Sequence, residues 1–233
     1  MQAVIYQDLG QIAYKTAWDY QESLLKENTE LKLAAGQVEN PEEVATKHYL
    51  LLCEHNHVYT LGKSGSRENL LISDEERAVR GIDFYPINRG GDITYHGIGQ
   101  ITGYPIFDLE KIKPDIGWYV RMLEEVFIRL IAKYGLKGER VAGESGVWLH
   151  TDSEKPLKIL AIGVRCSRWV TMHGFAFNVN TDLSYFDHII PCGLEGKGAT
   201  SLEKELGRKF DIQEIKAEIL TYFAEVFELR FLN

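Results

Sequence analysis

Of the three thiols in this chain of 233 residues, Cys192 has the surroundings that suit chemistry. It stands in I-I-P-C-G-L-E-G-K-G-A-T, after an apolar pair and a proline and before glycine. A thiol at a Pro-Cys-Gly turn can be held at the end of a strand or short helix and opened to a pocket, with a backbone N–H of the glycine-rich segment beside it to bind an oxyanion. Cys53 and Cys166 lie inside apolar strand patterns and are expected to be small buried hydrophobes, since free cysteine is among the most buried residue types. The three are odd in number and lack C-x-x-C spacing, so reduced thiols are expected, with neither a disulfide framework nor a zinc site.

A thiol with a pKa of about 8.5 is only a few per cent thiolate at neutral pH, so a nucleophilic Cys192 needs a cation or a base beside it. Histidine is the usual base, and His173 in T-M-H-G-F-A-F, His188 four residues before the thiol, and His96 are candidates by type. Lys158, at the start of the apolar strand pattern K-I-L-A-I-G-V-R, is the other, because apolar neighbours favour its neutral amine. Residue types alone leave this choice open.

Residues 88 to 100, N-R-G-G-D-I-T-Y-H-G-I-G-Q, are a second unusual stretch. Glycine surrenders more backbone freedom on folding than any other residue, so Gly90, Gly91, Gly97 and Gly99 need a geometric reason. Either a wide hairpin has turns that require positive φ, or the backbone must lie flush against a ligand.

The elements that must position these residues follow from periodicity. Residues 3 to 7 read as a strand and 11 to 34 as an amphipathic helix stopped by Gly36; 40 to 47 are a polar connector and H-Y-L-L-L-C-E-H a buried strand. A short helix is expected over 74 to 80, and strands over 83 to 88 and 100 to 107 frame the glycine stretch, Pro86 and Pro105 placing them near edges or bulges. The strongest helical periodicity runs from Asp115 to Tyr134 and ends at Gly135. Strands over 139 to 142, 146 to 150, 157 to 166 and 169 to 179 follow, then a helix over 212 to 229. This order suits an α+β or mixed α/β fold rather than a doubly wound sheet.

At 45% hydrophobic, the chain can bury one sizeable core, and a single domain spanning residues 1 to 233 is expected. A net charge of −8 argues against a nucleic-acid surface. No signal-peptide pattern or apolar run of membrane-spanning length is present, so no membrane association and a cytoplasmic location are expected. Lys63, Arg67, Arg89, Arg165, Arg168 and Lys197 come from separated segments that could converge on a local basic patch.

Taken together, these motifs resemble the octanoyltransferases that make protein-bound lipoate, a family also called lipoyl(octanoyl)transferases or lipoate-protein ligase B. The resemblance runs from H-Y-L-L-L-C-E-H-N-H-V-Y-T-L-G-K through R-G-G-D-I-T-Y-H-G-I-G-Q-I-T-G-Y-P, K-I-L-A-I-G-V-R, H-G-F-A-F-N-V-N-T-D-L and I-I-P-C-G to A-T-S-L, most of the chain. The R-G-G-x-x-T-Y-H-x-x-G-Q-x-x-x-Y pattern is long and highly specific. One departure is local: the family often has E-H-P-P where this chain has Glu54-His55-Asn56-His57.

The resemblance implies a mixed α/β fold shared with lipoate ligases and biotin protein ligases. It also implies transfer of octanoyl from octanoyl-acyl carrier protein to a lysine of lipoyl domains, in 2-oxoacid dehydrogenases or the glycine cleavage H protein, without cofactor or metal. The family's acyl-bearing cysteine falls on Cys192 and its partner lysine on Lys158. Its acyl-pocket segments fall on Arg89, Gly90, Gly91, Asp92, Ile93, Thr94, Tyr95 and His96, on Ala161, Ile162 and Gly163, and on Gly174, Phe175 and Ala176. In such a pocket glycines let backbone approach the chain while Tyr95, Ile162 and Phe175 supply apolar surface. Burying about seven methylene-sized groups at about 0.8 kcal/mol each contributes up to about 5–6 kcal/mol before ordering costs. The basic residues would then receive acidic protein partners. Competing readings are an ATP-dependent lipoate ligase, a cysteine hydrolase using His173 or His188, and a non-catalytic acyl-carrier-binding module.

Overall fold

The computed structural model describes residues 1–36, 45–190 and 197–232. The first half holds β1 (Gln2–Ile12), α1 (Tyr14–Ala35), β2 (His48–His55), β3 (Val58–Leu61), α2 (Asp74–Val79), β4 (Asp83–Pro86), β5 (Ile93–His96) and β6 (Gln100–Ile106). After it come α3 (Ile116–Ala132), β7 (Val147–Leu149), β8 (Leu157–Ser167), β9 (Val170–Asn178), β10 (Gly198–Ala199), α4 (Leu202–Leu206), α5 (Ile212–Phe227) and β11 (Leu229–Leu232). Among the described residues the strands form a large mixed sheet in the order β10-β8-β9-β6-β2-β1-β11, with β7 beside β8, and a small sheet in the order β4-β3-β5.

Period-two alternation divides the large sheet into two faces. Leu50, Leu52, Ile101, Leu160, Ile162, Phe175 and Phe177 point into a core shared with α3 and α5. Tyr49, Leu51, Cys53, Tyr104 and Met172 point the other way, where Ala17, Leu24 and Leu25 of α1 cover one end. The small sheet meets the start of α1 through Tyr14, Val58 and Ile87. Between α1, the small sheet and the uncovered part of this second face lies the space for a ligand.

α3 forms where its periodicity predicts. Asp115 caps it by accepting the Trp118 N–H at 2.9 Å, and the buried stripe Tyr119, Leu123, Val126, Phe127, Leu130 and Ile131 follows helical spacing. Truncating a fully buried residue such as Leu123 to alanine would cost about 2–5 kcal/mol. Glu124, on the same helix and fully buried, binds the Arg121 and Arg140 guanidiniums at 2.7 and 2.9 Å and accepts the Gly146 N–H at 3.1 Å. It thereby staples the loop before β7 to the helix.

Several expectations change. β1 runs on to Ile12 because it pairs with β2 and β11 in parallel, so α1 starts at Tyr14 rather than at 11. Val58–Leu61 is a separate strand, and the glycine stretch itself contains β5, which pairs antiparallel with β3. The segment 139 to 142 contributes only an isolated bridge, Glu139 to Trp148. The last helix ends at Phe227, where Glu228 turns left-handed (φ +54) and releases the chain into β11. Pro86 lies on the edge strand β4, as its missing donor requires. Pro105 lies on an interior strand, past the point where β6–β9 pairing stops at Gly103–Phe175, and the His173 N–H of β9 donates to Gln21 Oε1 at 3.0 Å.

Candidate active site

The expected base Lys158 and the expected small residues share one face of β8 because of a single extra residue. On the neighbouring β7, Val147 opposes Leu160 while Trp148 opposes Lys158, so β8 carries a bulge at Ile159. Without the bulge, alternation would put Lys158 and Ala161 on opposite faces. With it, Lys158, Ala161 and Gly163 all border one cavity of about 980 Å³.

The floor of that cavity is a strip of small residues, Ala161 and Gly163 of β8 beside Ala176 and Gly174 of β9, paired in register. Gly174 is needed for close approach: a Cβ there would collide with the Gly103 carbonyl oxygen and lie 2.6 Å from Pro105 Cδ. Ile93, Thr94, Leu183, Phe186 and Ile189 border the cavity as well. Beyond the strip, β6 presents Gln100, Thr102 and Tyr104 to it.

At the head of the strip, Lys158 Nζ lies 4.4 Å from the Trp148 ring centroid and Lys197 Nζ lies 5.2 Å from the same ring. Lys197 also pairs with Glu144 at 3.3 Å. The Lys158 carbonyl accepts the Thr200 N–H at 3.0 Å, and the Thr200 carbonyl accepts from Asn178 Nδ2 at 2.9 Å. Asn178 Oδ1 in turn accepts from Gln100 Nε2 at 2.9 Å. Backbone and amide side chains thus tie β10 to the strand ends that carry Lys158.

The glycine stretch shows the positive φ that one of its two expected reasons requires, and part of it lines the cavity. Gly91 has φ +85, a left-handed conformation that favours glycine, and it borders the cavity. Asp92 accepts the Ile93 N–H at 2.6 Å and Asn69 Nδ2 at 2.7 Å, fixing the entry to β5. Arg89 is buried and also borders the cavity; its guanidinium donates to the Thr60 carbonyl at 2.8 Å and to the Gly90 carbonyl at 3.0 Å.

Some predicted residues stand elsewhere. Tyr95 does not border the cavity: it is fully buried in a cluster with Tyr59 and Ile72, and its hydroxyl lies 2.7 Å from His57 Nδ1. Gly90 is likewise absent from the lining and donates its N–H to the Val164 carbonyl at 3.0 Å. Ile162 and Phe175 border the cavity, but alternation sends their side chains into the opposite core, where the Phe175 ring lies 4.6 Å from that of Phe127. Apolar surface therefore comes from the small strip and the facing loop. Cys53 is fully buried, and burial pushes its thiol well up, whereas Cys166, at the β8–β9 hairpin, is only half-buried. Arg89 cannot join a docking patch, because it is inside; Arg165 pairs with Glu22 at 2.9 Å, and the lysines that border the cavity besides Lys158 are Lys155, Lys197 and Lys204. Cys192 lies outside the described residues.

The histidines are committed to other bonds. His173 breaks strand alternation with φ +55, a conformation that brings its imidazole to the cavity side. Its Nε2–H donates to Asn88 Oδ1 at 2.8 Å, because Asn88 Nδ2 is itself a donor to Glu22. Burial holds His173 and His96 far below the usual histidine range, at about 3 each, and His55 at about 4. His188 is outside the cavity lining, with its Nε2 3.3 Å from Arg80 Nη1. The cavity is also bordered by Tyr104, Gln100, Asn178 and Trp148, whose one sequence signal is alternation along strands whose faces pairing alone defines, and by Tyr14, which belongs to the apolar stripe of α1.

A slot with a small-residue floor and an amine at one end suits an unbranched acyl chain, and its mixed α/β frame is that of enzymes that handle lipoate. The bi-partite lipoate protein ligase of Thermoplasma acidophilum superposes with a TM-score of 0.67 at 15% identity, over 100% of this chain and 85% of that one. A lipoate-protein ligase A bound with ATP gives 0.67 at 14%, over 100% and 88%. At these identities the likeness concerns fold alone. The family model "Lipoyl protein ligase A/B catalytic domain" matches residues 13–224, and the chain belongs to that family. It is 54% identical over 222 residues to the octanoyltransferase of Christiangramia forsetii, covering 95% of this chain and 94% of the relative. With the octanoyltransferase of Cytophaga hutchinsonii it shares 48% over 232 residues, 99% and 95% of the two chains.

Proposed function

We propose that this chain takes an octanoyl group from acyl carrier protein as a thioester on Cys192 and delivers it to a lysine of a lipoyl domain, with Lys158 moving the protons. That the chain is an octanoyltransferase of protein lipoylation follows from its family and from relatives near half identical over almost their full lengths. The residue assignments rest on the resemblance of the I-I-P-C-G and K-I-L-A-I-G-V-R motifs and on one structural observation. The β8 bulge brings Lys158 to the cavity face at the head of the Ala161–Gly163 strip.

In the first step Lys158, as the neutral amine, accepts the Cys192 thiol proton while the thiolate attacks the donor thioester carbon. The C–S bond to the carrier breaks, and the ammonium returns the proton to the departing carrier thiol. In the second, Lys158 accepts a proton from the attacking lysine amine, an amide forms, and Cys192 leaves as thiolate to be reprotonated. The sequence is nearly level and then downhill, since a thioester is exchanged for a thioester and then for an amide. Histidine is the weaker candidate for the base: a buried imidazole held near 3 is a poor proton acceptor at neutral pH.

The test is Lys158→Arg, which keeps a positive charge but cannot act as a base. Transfer from octanoyl carrier protein to a lipoyl domain should fall by about 10²-fold or more, the scale of a lost general base. Near-normal transfer in Lys158→Arg with collapse in His173→Gln would reverse the assignment.

A further inference from the structure

The cavity continues well past the length of the chain it is read to hold. From Lys158 to Gly163 the β8 strip spans about 13–16 Å at roughly 3.3 Å per residue less the bulge. An extended octanoyl chain covers only about 8–9 Å at roughly 1.2 Å per bond. Beyond the Ala161–Ala176 row, where an octanoyl methyl would end, the lining changes character. Tyr14, His96, Tyr104 and His173 border that end, each of them buried.

Three of these groups keep open valences, while His96 has both ring nitrogens partnered, Nδ1 by Gln100 Oε1 at 2.8 Å and Nε2 by Thr60 Oγ1 at 3.4 Å. Tyr104 donates its hydroxyl proton to His55 Nε2 at 2.6 Å, because the His55 Nδ1–H donates to the Ile12 carbonyl at 2.9 Å. His173 gives its Nε2–H to Asn88, which leaves Nδ1 as an acceptor. Tyr14 is 3% exposed, and its ring stacks on His96 with centroids 5.7 Å apart. Its hydroxyl has no hydrogen-bond partner among the described residues. Buried polar groups of this kind are ordinarily satisfied by protein or ordered water, and a roomy polar site holds water where an apolar one stays dry.

We infer that the end of the cavity framed by Tyr14, His96, Tyr104 and His173 is a water-holding chamber that measures the acyl chain. It stops the chain at about eight carbons because a longer one must displace that water, not because a wall stands in the way. This rests on the reading of the cavity as the acyl site. In a matching apolar slot each further methylene would strengthen binding roughly fourfold; in the chamber that gain is offset by polar groups stripped of water.

The unaltered protein supplies the first test. Decanoyl and 10-hydroxydecanoyl carrier proteins have chains of equal length, but the terminal hydroxyl can replace a chamber water. The hydroxylated chain should be transferred about tenfold faster or more. Equal, slow transfer of both would mean a steric stop and overturn the inference. Tyr14→Phe, which removes the unpartnered hydroxyl, should raise the decanoyl-to-octanoyl ratio about fourfold, one methylene's worth; an unchanged ratio in folded protein also overturns it. Ala161→Val tests the acyl-site reading separately, because Ala161 borders the cavity in the row where an octanoyl methyl would end and which a butanoyl chain would not reach. The substitution should depress octanoyl transfer more than butanoyl transfer, and equal effects on both would refute the acyl-site reading itself.

Discussion

Lys158 Nζ stands over the face of Trp148, 4.4 Å from the ring centroid, in a wall where the indole is 1% exposed. Contact with the indole face restricts the rotamers open to the Lys158 side chain and so limits where its amine can reach. Trp148→Leu should therefore lower kcat for octanoyl transfer about tenfold, the rate equivalent of about 1.4 kcal/mol of lost positioning. Steady-state kinetics on protein shown by circular dichroism to be folded would check this. Unchanged kcat would mean the ring serves packing alone.

Acid should weaken the fold through its buried histidines. Burial lowers His48 and His55 to about 4 and His96 and His173 to about 3, while in the unfolded chain each titrates near 6.5. Between those values the unfolded chain binds more protons, so the stabilising contribution is fully present above about pH 6.5 and is lost as pH falls toward the folded values. Each group contributes a slope of up to about 1.4 kcal/mol per pH unit in that window. Urea unfolding at pH 7 and pH 5 should show a clear loss at the lower pH, and His96→Gln should flatten the slope. Equal unfolding free energies at the two values would contradict the buried, neutral assignment.

Glu124 links α3 to the loop at the cavity mouth, where Glu144 and Ser145 lie. Removing its charge in Glu124→Gln strands two guanidiniums, but both are partly exposed and can recover water. The cost should be about 2–3 kcal/mol, below the full penalty of a buried pair broken on one side. For a chain of this size that lowers Tm by about 5–10 °C, which differential scanning calorimetry would detect. A shift under about 2 °C would show that the loop is held by other contacts.

What was legible in the sequence was whatever depends on local pattern. The apolar stripe of α3 and the long strands β8 and β9 announce themselves because packing repeats along one element. β3 and β5 escaped because each is four residues long and exists through pairing with the other, a non-local event no short window contains. The bulge at Ile159 carries no residue signature, yet without it Lys158 would face away from the cavity. His173 was noticed as a candidate base, whereas its left-handed backbone and its bond to Asn88 make it part of the wall. Tyr95 was misplaced for a related reason: within a four-residue strand, the face a side chain takes depends on register, which the motif does not state.

Acyl transfer through Cys192 is tested most directly by intact-protein mass spectrometry after incubation with octanoyl carrier protein. The unaltered chain should gain the mass of one octanoyl group, located on the peptide that contains Cys192, and should lose it to an added lipoyl domain. Cys192→Ser should not support this transfer, while Cys53→Ala and Cys166→Ala should still acquire and pass on the group. An octanoyl group found on another residue of the unaltered chain, or full transfer by Cys192→Ser, would contradict the account.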